Sequence, residues 1–395
     1  MSLPRVVLVT RRFWPLVGGA EIMAARLAAG LQERGAATTI LTARWHDEWP
    51  AEIEQHGVRV LRLTHPRRRV WGTWRYMQAV HRWLARHRAR FDLVYVSMLK
   101  HDAYSAITAA RQGRFPVVLR AEGAGITGDC HWQLEANCGA RIKRRCQKAD
   151  AFVAPSPAIE RELIVSGYSR GRIHYIPNGV AIHESRDPLR RAQARGDLAE
   201  ADASLAIGDA PLVVYTGRLH KMKGLEYLVR AWPSVLAHMP DARLWLVGDG
   251  PQRAELTNLV GELGLWGLVY IAGPFDDVEE FLQAADLFVL PSLEEGMSLA
   301  LLEAMASGLP VIASAIAANE ALVQDGVHGR LAPTRDSCRL AEVILELLAD
   351  QAQAERLGRT AREQVRQHYS IDRMVDEHLR LFERLVGADA QQAVD

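Results

Sequence analysis

The sequence predicts an α/β protein with two doubly wound, parallel-sheet domains. Short β-branched runs alternate with amphipathic helical patterns, and this alternation stops in a polar, Ala-rich stretch at residues 183–210 before it starts again. Strands that alternate with helices form parallel open sheets. A chain of 395 residues is also longer than one hydrophobic core usually supports.

The first predicted domain spans residues 1–182. Apolar runs predict strands at residues 6–9, 38–41, 93–96, 117–119 and 152–153, and an amphipathic pattern predicts a helix at 21–34. The run 173–180 contains Pro177-Asn178-Gly179 and predicts a turn that ends this series.

The second predicted domain spans residues 183–369. Strands are expected at residues 212–215, 243–247, 269–272, 287–290 and 311–313, and helices begin near Leu225 and Arg253. Residues 341–386 are predicted to be helical apart from a break around 368–370, and the last helix, at about 370–395, is expected to pack back on the first domain. Open parallel sheets bind ligands at the carboxyl ends of their strands, so a cleft between the two domains is the expected site.

The charge balance excludes several classes of partner. The chain has 48 Lys and Arg against 47 Asp and Glu, which leaves no overall electrostatic field to attract nucleic acid, and no nucleic-acid partner is predicted.

Residues 1–10 lack the long apolar region and the cleavage site of a signal peptide. No apolar stretch reaches the ~20 residues of a spanning helix. These features predict a cytoplasmic protein.

No metal site and no resident cofactor are predicted. Cys130, Cys138 and Cys146 are spaced eight residues apart. In a helix this spacing separates the sulfur atoms by roughly 12 Å, which is too far for one ion to bind them all. The chain also contains no Asp-x-Asp pair that would imply a divalent ion on a diphosphate.

The most informative segment is residues 291–311, PSLEEGMSLALLEAMASGLPV. A predicted strand ends before it, Glu295 lies in a loop with Gly296, and a helix starts near Ser298. The N–H groups at a helix start form an anion site, which suits a diphosphate. Glu303 lies about two turns into this helix. The two carboxylates could hold the hydroxyl groups of a sugar and of a ribose, or they could belong to a surface ion pair.

Two further segments add cations and tight turns. Residues 215–224 read YTGRLHKMKG, in which Arg218 and Lys223 follow a predicted strand beside glycines and could clamp phosphate groups. Residues 247–251 read VGDGP and predict a strand followed by a tight turn at Gly248. Taken alone, each segment could equally be a solvated loop.

These three segments, in this order and spacing, strongly resemble the donor domain of the family 4 retaining glycosyltransferases. The resemblance is specific over residues 211–335. It implies the GT-B fold, in which two Rossmann-like domains face each other across a cleft, and a nucleotide diphosphate sugar as the donor. Many family members have Phe-Gly where this chain has Met297-Ser298, a tolerable difference because the backbone makes the contacts there.

The resemblance also implies roles for individual residues. Arg218 and Lys223 are expected to bind the diphosphate, Glu295 to face the transferred sugar and Glu303 to hold the ribose. Backbone amides of Gly296, Met297 and Ser298 are expected to contact the donor.

The N-terminal domain agrees with this family in part. Residues 13–21 read FWPLVGGAE, and the resemblance implies that Gly18 and Gly19 close over the donor. Family members commonly have a histidine after the strand that corresponds to residues 117–119, whereas this chain has Arg120-Ala121-Glu122-Gly123. Either Glu122 or His101 could take over that contact as a catalytic-site residue, or both could be hydrogen-bonded loop residues. Asp129 is a weaker candidate on the acceptor side.

The predicted activity is metal-independent, retaining transfer of a sugar from a nucleotide diphosphate. The acceptor is an envelope polysaccharide, a lipid-linked molecule or a small molecule, and the sequence does not choose among these. Two alternatives stay open: a sugar-nucleotide epimerase on the same fold, and a non-enzymatic protein that binds nucleotide sugars.

Residues 65–90 raise the question of membrane contact. This segment is rich in Arg and Trp, and its helical part places Tyr76, Val80, Trp83 and Leu84 on one face. Such a face either lies on an anionic membrane or packs on the sheet with the arginines in solvent. The first alternative would place the protein peripherally at the inner face of the cell membrane.

Overall fold

The computed structural model describes residues 3–16, 18–65, 69–273 and 278–392, without the side chains of residues 69–70 and 389–392. The chain divides into two compact units, which are Met1–Gly179 together with Ile371–Asp395, and Val180–Ser370. Each unit is a parallel α/β layered structure, as the sequence predicts.

Within the described residues, the first unit contains an eight-stranded sheet. Its strands are β1 (Val6–Val9), β2 (Thr38–Arg44), β3 (Glu52–Gln55), β4 (Val58–Thr64), β5 (Leu93–Ser97), β6 (Val117–Arg120), β7 (Ala151–Ala154) and β8 (Ile173–Tyr175). They lie in the order β3-β4-β2-β1-β5-β6-β7-β8, and β3 alone is antiparallel to its neighbour. Strands β1, β5, β6 and β7 are buried along their whole length, as expected for parallel strands covered on both faces.

The helices of the first unit fill the crossovers and cover both faces of its sheet. They are α1 (Gly19–Glu33), α2 (Arg69–Arg86), α3 (His101–Gly113), α4 (Asp129–Glu135), α5 (Gly139–Cys146) and α6 (Pro157–Val165). The sequence prediction lacks strands β3 and β4. Both strands are only partly buried, and β3 is an edge strand with charged residues at alternate positions. Such segments give a weak signal for burial.

The second unit contains a six-stranded, parallel sheet. Its strands are β9 (Leu212–Thr216), β10 (Arg243–Val247), β11 (Val269–Ala272), β12 (Leu287–Leu290), β13 (Val311–Ser314) and β14 (Arg330–Ala332), in the order β11-β10-β9-β12-β13-β14. The chain therefore moves outward from β9 in one direction and then returns to the other side of β9 with β12.

The helices of the second unit include the connector and most of the C-terminal segment. They are α7 (Pro188–Ala201), α8 (Leu225–Leu236), α9 (Arg253–Glu262), α10 (Glu279–Ala284), α11 (Leu299–Ser307), α12 (Ala317–Glu320), α13 (Ser337–Ala349) and α14 (Gln351–His368). The prediction of one continuous helix up to residue 368 is wrong, because Asp350 separates α13 from α14. Its side chain accepts a hydrogen bond from the Gln353 N–H and caps α14.

The last helix, α15 (Ile371–Gln392), packs against α1 of the first unit. Arg34 at the end of α1 forms ion pairs with Asp372 at 2.8 Å and Asp376 at 2.7 Å. A Cβ atom on Gly30 would lie 2.6 Å from a methyl group of Val375, so glycine at this position allows the two helices to approach closely.

His378 anchors α15 in the interior of the first unit, where its side chain is fully buried. Its Nδ1 lies 2.8 Å from the Met374 carbonyl oxygen, which can only accept, so Nδ1 carries the proton. Its Nε2 then accepts from the Tyr95 hydroxyl at 3.1 Å. Burial, together with the charge of Arg120, lowers the pKa of His378 to about 3.

The apolar face of helix α2 packs inside the first unit. Tyr76, Val80 and Leu84 are fully buried in the hydrophobic core, so the idea that this face lies on a membrane is wrong. Residues 66–68 of the basic segment lie outside the described residues. Among the described helices, none is long and apolar enough to cross a membrane.

We expect acidification to weaken this unit through His378. The folded protein excludes the proton and the unfolded chain binds it, with an ordinary pKa of 6.5. The free energy of unfolding therefore falls as the pH drops below that value, by about 1.4 kcal/mol per pH unit from this group. Urea unfolding at several pH values between 7.5 and 5 measures the slope.

The variant His378→Gln should show a flatter dependence of unfolding free energy on pH. The variant His46→Gln, which changes a histidine with a 38% exposed side chain, should follow the wild type. If the slope for His378→Gln equals that of the wild type, the assignment of the pH dependence to His378 is wrong.

Candidate active site

Three loops of the second unit converge at one edge of its sheet. They follow β9, β10 and β12, which are neighbouring parallel strands, so their carboxyl ends lie side by side. The strand order reverses between β9 and β12, and the carboxyl edge at such a reversal is where open α/β sheets bind ligands. The three segments that the sequence singles out form these loops.

Glycines hold the first two loops in direct backbone contact. Gly248 has φ of +146°, and a Cβ atom there would lie 1.9 Å from the Gly217 carbonyl oxygen. The Gly217 N–H donates to the Val247 carbonyl oxygen at 2.9 Å, and the Leu219 N–H donates to the Asp249 carbonyl oxygen at 2.9 Å. A side chain at position 248 would separate the loops.

The first and third loops are joined in the same way. Gly224 has φ of +63°, and a Cβ atom on it would lie 2.2 Å from the Pro291 carbonyl oxygen. The Leu293 N–H donates to the Met222 carbonyl oxygen at 2.8 Å. This contact places Lys223 of the first loop directly beside Glu295 of the third.

Lys223 and Glu295 form an ion pair at 2.6 Å between Nζ and Oε1. The Ser292 hydroxyl donates to the same Oε1 at 2.7 Å. The Glu295 side chain is only 8% exposed and that of Lys223 is 25% exposed, so water screens this pair less than it would a surface pair. Neither Lys223 nor Glu295 is therefore a solvated loop residue.

Tyr215 and Arg218 lie on either side of the first loop's start. The buried Tyr215 hydroxyl donates to the Arg218 carbonyl oxygen at 3.0 Å. Burial, with the charge of Glu295, raises the pKa of Tyr215 well above its ordinary value. The Arg218 side chain is exposed and has no ion pair within the described part of the chain.

Helix α11 starts at the end of the third loop. Ser298 is its N-cap, and its buried hydroxyl accepts from the Leu301 N–H at 3.3 Å. The N–H groups of Leu299 and Ala300 at the helix start are then available to an anion. Gly296 and Met297 immediately precede the cap and are half-buried, as is Glu303 farther along the helix.

In the first unit, Gly18 and Gly19 lie at the start of α1. Gly18 is the N-cap, and its carbonyl oxygen accepts from the Ile22 N–H at 2.9 Å. A Cβ atom on Gly18 would lie 2.5 Å from the Glu21 carboxylate. The preceding residue, Val17, lies outside the described residues.

His101 and Glu122 are the two candidates for the contact that a histidine is expected to make in the family, and they have different surroundings. His101 begins α3 and lies against Trp132, with its Nε2 at 3.7 Å from Cys138 Sγ. Burial, aided by the charges of Arg11 and Lys100, lowers the pKa of His101 to about 4, so the imidazole is neutral near pH 7.

Glu122 belongs to a buried polar network. Its Oε1 accepts from the Ser97 hydroxyl at 2.8 Å and lies 2.9 Å from Arg120 Nε, and Arg120 also donates to Asn178. Burial raises the pKa of Glu122. Asp129, also buried, accepts from the Glu122 N–H at 2.9 Å.

The roles of these residues toward a donor stay predictions. The structure joins Lys223 with Glu295 and Glu122 with Arg120. Sequence reasoning missed Ser292, Ser97 and Arg120 as partners in these pairs, because a serine or a strand-end arginine has no local pattern that marks it. Among the described residues, no group of three or more His, Cys, Asp or Glu could hold a metal ion.

Comparison with known proteins agrees with this architecture. The model of Glycosyltransferase Family 4 matches residues 17–184, and the model of Glycosyl transferases group 1 matches residues 210–350. The lipopolysaccharide core biosynthesis glycosyltransferase LpsE of Rhizobium meliloti is 34% identical over 44% of this chain and 50% of its own length. The chain thus spans about half the length of LpsE and of other curated relatives.

Two solved structures share the fold over nearly the whole chain. Sucrose-phosphate synthase from Thermosynechococcus elongatus has a TM-score of 0.81 and 26% identity, covering 98% of this chain and 100% of its own. HepE from Anabaena, in complex with UDP-glucose, has a TM-score of 0.79 and 22% identity, covering 95% and 99%. The two parallel sheets and the loops at the strand reversal therefore define the GT-B class of glycosyltransferase fold.

Within that class, the family is also defined. Its two models match separate, consecutive parts of the sequence, one for each half of the chain. The chain belongs to the family 4 glycosyltransferases, glycosyl transferases group 1.

Proposed function

We propose that this protein is a retaining, metal-independent glycosyltransferase that uses a nucleotide diphosphate sugar. The acceptor is an envelope polysaccharide, a lipid-linked molecule or a small molecule. The observation that carries the proposal is the ion pair of Lys223 and Glu295 at 2.6 Å. Lys223 lies in the same loop as the exposed Arg218, and Glu295 lies in the loop that leads into α11.

The charges of this site suit a departing diphosphate. Lys223 has three N–H donors and uses one on Glu295, so two are left for phosphate oxygens. Arg218 adds a forked donor, and the start of α11 adds backbone N–H groups. Preorganised donors of this kind stabilise the negative charge that develops on a leaving group.

Glu295 is suited to hold the transferred sugar. Within the described residues, both hydrogen bonds to its carboxylate end on Oε1, so Oε2 can accept from a sugar hydroxyl. The ion pair keeps the carboxylate oriented toward the same site. We assign Glu303 to the ribose, and the backbone of Gly296, Met297 and Ser298 to the donor. These roles follow the family resemblance.

The named relatives support a nucleotide-sugar donor. HepE was solved with UDP-glucose, and LpsE is named for lipopolysaccharide core biosynthesis. The proposal that no metal is required rests on the two cations and the helix start, which supply the charge that a bridging ion would otherwise supply.

The outer face of α2 supports contact with a membrane. Trp71 and Trp74 are 54% and 44% exposed and stack with their ring centroids 4.9 Å apart. Arg75, Arg82 and Arg86 are exposed on the same helix. Exposed Trp and Arg together suit an anionic membrane surface, so we propose a cytoplasmic protein that contacts the inner face of the cell membrane peripherally.

Donor binding is tested by a thermal-shift panel of UDP-, GDP- and ADP-sugars. The nucleotide that binds should raise Tm, because saturation at one hundred times Kd stabilises the folded state by about 2.7 kcal/mol. Arg218→Ala and Lys223→Ala should lose most of this shift. Lys221→Ala, which changes an exposed lysine in the same short turn, should keep it. Equal Tm shifts in all variants would contradict the assignment of Arg218 and Lys223 to the diphosphate.

Turnover is tested with the responding donor, a panel of acceptors and excess EDTA. We expect a glycoside product with the donor's anomeric configuration, measured by NMR, and no loss of rate with EDTA. Loss of activity that Mg²⁺ or Mn²⁺ restores would contradict metal independence, and an inverted product would contradict retention. Epimerised or hydrolysed donor without acceptor would identify an epimerase, and donor binding without any turnover would identify a binding protein.

Membrane contact is tested by co-sedimentation with vesicles of phosphatidylglycerol and of phosphatidylcholine. The wild type should sediment with the anionic vesicles and be released by salt, since the arginine contribution is screened. The double variant Trp71→Ser, Trp74→Ser should stay in the supernatant. Trp266→Ser, which changes a 64% exposed tryptophan of the second unit, should behave as the wild type. Sedimentation of the double variant would refute the proposal.

A further inference from the structure

Three arginines of the second unit converge on one carboxylate, that of Asp286. Arg186 lies just before α7, whereas Arg191 and Arg195 lie on this helix, one turn apart. The Oδ1 atom of Asp286 lies 2.9 Å from Arg191 Nη2 and 3.6 Å from Arg186 Nη2. Its Oδ2 atom lies 2.9 Å from Arg195 Nη2. We call these four residues the Asp286 cluster.

The Asp286 cluster lies at the amino edge of the second unit's sheet. Asp286 immediately precedes β12, and its carboxylate accepts from the N–H of Leu212, the first residue of β9, at 2.8 Å. The loops of the candidate active site follow the opposite, carboxyl ends of these two strands. The four residues of β12 span about 13 Å, so the cluster is separate from the loop that contains Glu295.

Arg195 is fully engaged by contacts within the protein. Its Nε and Nη1 donate to the carbonyl oxygens of Ala284 and Gly208 at 2.9 Å and 2.6 Å, and its Nη2 donates to Asp286. Arg186 Nε likewise donates to a carbonyl oxygen near the end of α10, at 3.1 Å. These contacts attach the start of the second unit to α10, so they have a structural role.

Arg191 has no comparable structural contact. Within the described residues, its guanidinium bonds only to the Asp286 carboxylate, which already accepts from Arg195. Its Nε is buried without a hydrogen-bond partner. Arg191 also lies in the first turn of α7, where the helix dipole disfavours a cation. The contacts in the described part of the chain therefore do not explain an arginine at this position.

The Asp286 cluster has more positive than negative charge. Three guanidinium groups face one carboxylate, and the exposed Asp209, which interacts electrostatically with Arg195, balances at most one of the two excess charges. Burial lowers the pKa of Arg186 to about 10, and the charges of Arg191 and Arg195 add to this effect against that of Asp286. The charge of this guanidinium is thus incompletely compensated.

The excess charge can be reached from solvent. The side chains of Arg186 and Arg191 are 17% and 31% exposed, and neither uses its Nη1 in a hydrogen bond within the described residues. An arginine presents its N–H groups in a fork that matches the oxygens of a phosphate group. A carboxylate or a chloride ion would neutralise one charge, whereas a phosphate dianion would neutralise both.

We propose that Arg186, Arg191 and Arg195 form a binding site for a phosphate dianion at the amino edge of the second unit's sheet. Arg195 supplies positive charge from the buried side, and Arg186 and Arg191 supply N–H donors from the exposed side. The ligand is inorganic phosphate or the phosphate group of a small phosphomonoester. This site uses none of the residues assigned to the donor, so it does not depend on the proposed glycosyltransferase function.

The test measures Tm of the full chain in millimolar inorganic phosphate and, in parallel, in glycerol 2-phosphate, with sodium chloride at equal ionic strength as the reference. It uses the double variant Arg218→Ala, Lys223→Ala, so that phosphate at the proposed diphosphate site does not contribute. We expect a saturable rise in Tm, because a ligand that binds only the folded protein stabilises it. The phosphate with the lower Kd identifies the source of the ligand.

In this background, the further change Arg191→Gln should raise the Kd for phosphate roughly ten- to hundredfold, the loss expected for one charge-assisted contact. Arg190→Gln is the matched control. Arg190 is the exposed neighbour of Arg191, but it pairs with Glu184 and Asp187 instead of Asp286. The control should therefore keep the phosphate-dependent rise in Tm.

The ligand-free proteins distinguish an anion site from a purely structural cluster. Because Arg191 adds an uncompensated charge, Arg191→Gln without phosphate should have a Tm equal to or above that of its parent. Arg195→Gln, which loses hydrogen bonds to two carbonyl oxygens, should lower Tm.

Three results would overturn the proposal: no saturable rise in Tm with either phosphate, an equal rise after Arg191→Gln, or a lower ligand-free Tm of Arg191→Gln than of its parent. The donor panel on Arg218 and Lys223 is separate from all of these. Loss of the donor shift with retained phosphate binding would refute the transferase function alone, and the reverse result would refute the Asp286 cluster alone.

Discussion

The close backbone contact of three loops is the constraint on which the candidate active site depends. Gly248 and Gly224 have no side chain where a Cβ atom would lie 1.9 Å and 2.2 Å from the carbonyl oxygens of Gly217 and Pro291. This approach allows the Lys223–Glu295 pair to form from residues of different loops. The backbone thus holds this ion pair in place, and fixed charges of this kind are what electrostatic catalysis requires.

The two units differ in how their charged groups are balanced. In the second unit, Lys223 pairs with Glu295, and the exposed Arg218 forms no ion pair within the described residues. In the first unit, Arg120 and Glu122 form a one-to-one pair in buried surroundings. A buried excess charge would be costly there, and balanced pairs reduce this cost.

The first unit is complete only with the end of the chain. Helix α15 brings His378 to the Tyr95 hydroxyl and Asp376 to Arg34, and Gly30 allows the helix to approach α1. A C-terminal segment therefore contributes to the core of the N-terminal unit. Packing of this kind links the stability of that unit to a histidine that must stay neutral.

The sequence by itself determined the α/β class, most of the strands and the loops that contain Lys223 and Glu295. It could do so because the spacing of apolar residues and the positions of glycines are local features of the sequence. It did not determine whether the apolar face of α2 packs on the sheet or lies on a membrane, and it did not predict the exposed edge strand β3. Only the tertiary structure decided that Lys223 pairs with Glu295 and that Arg120 pairs with Glu122. The physical reason is that the order of the strands brings residues that are distant in the sequence to one edge of a sheet. The spacing of apolar residues predicts which side chains are buried, but it does not predict which residues they contact.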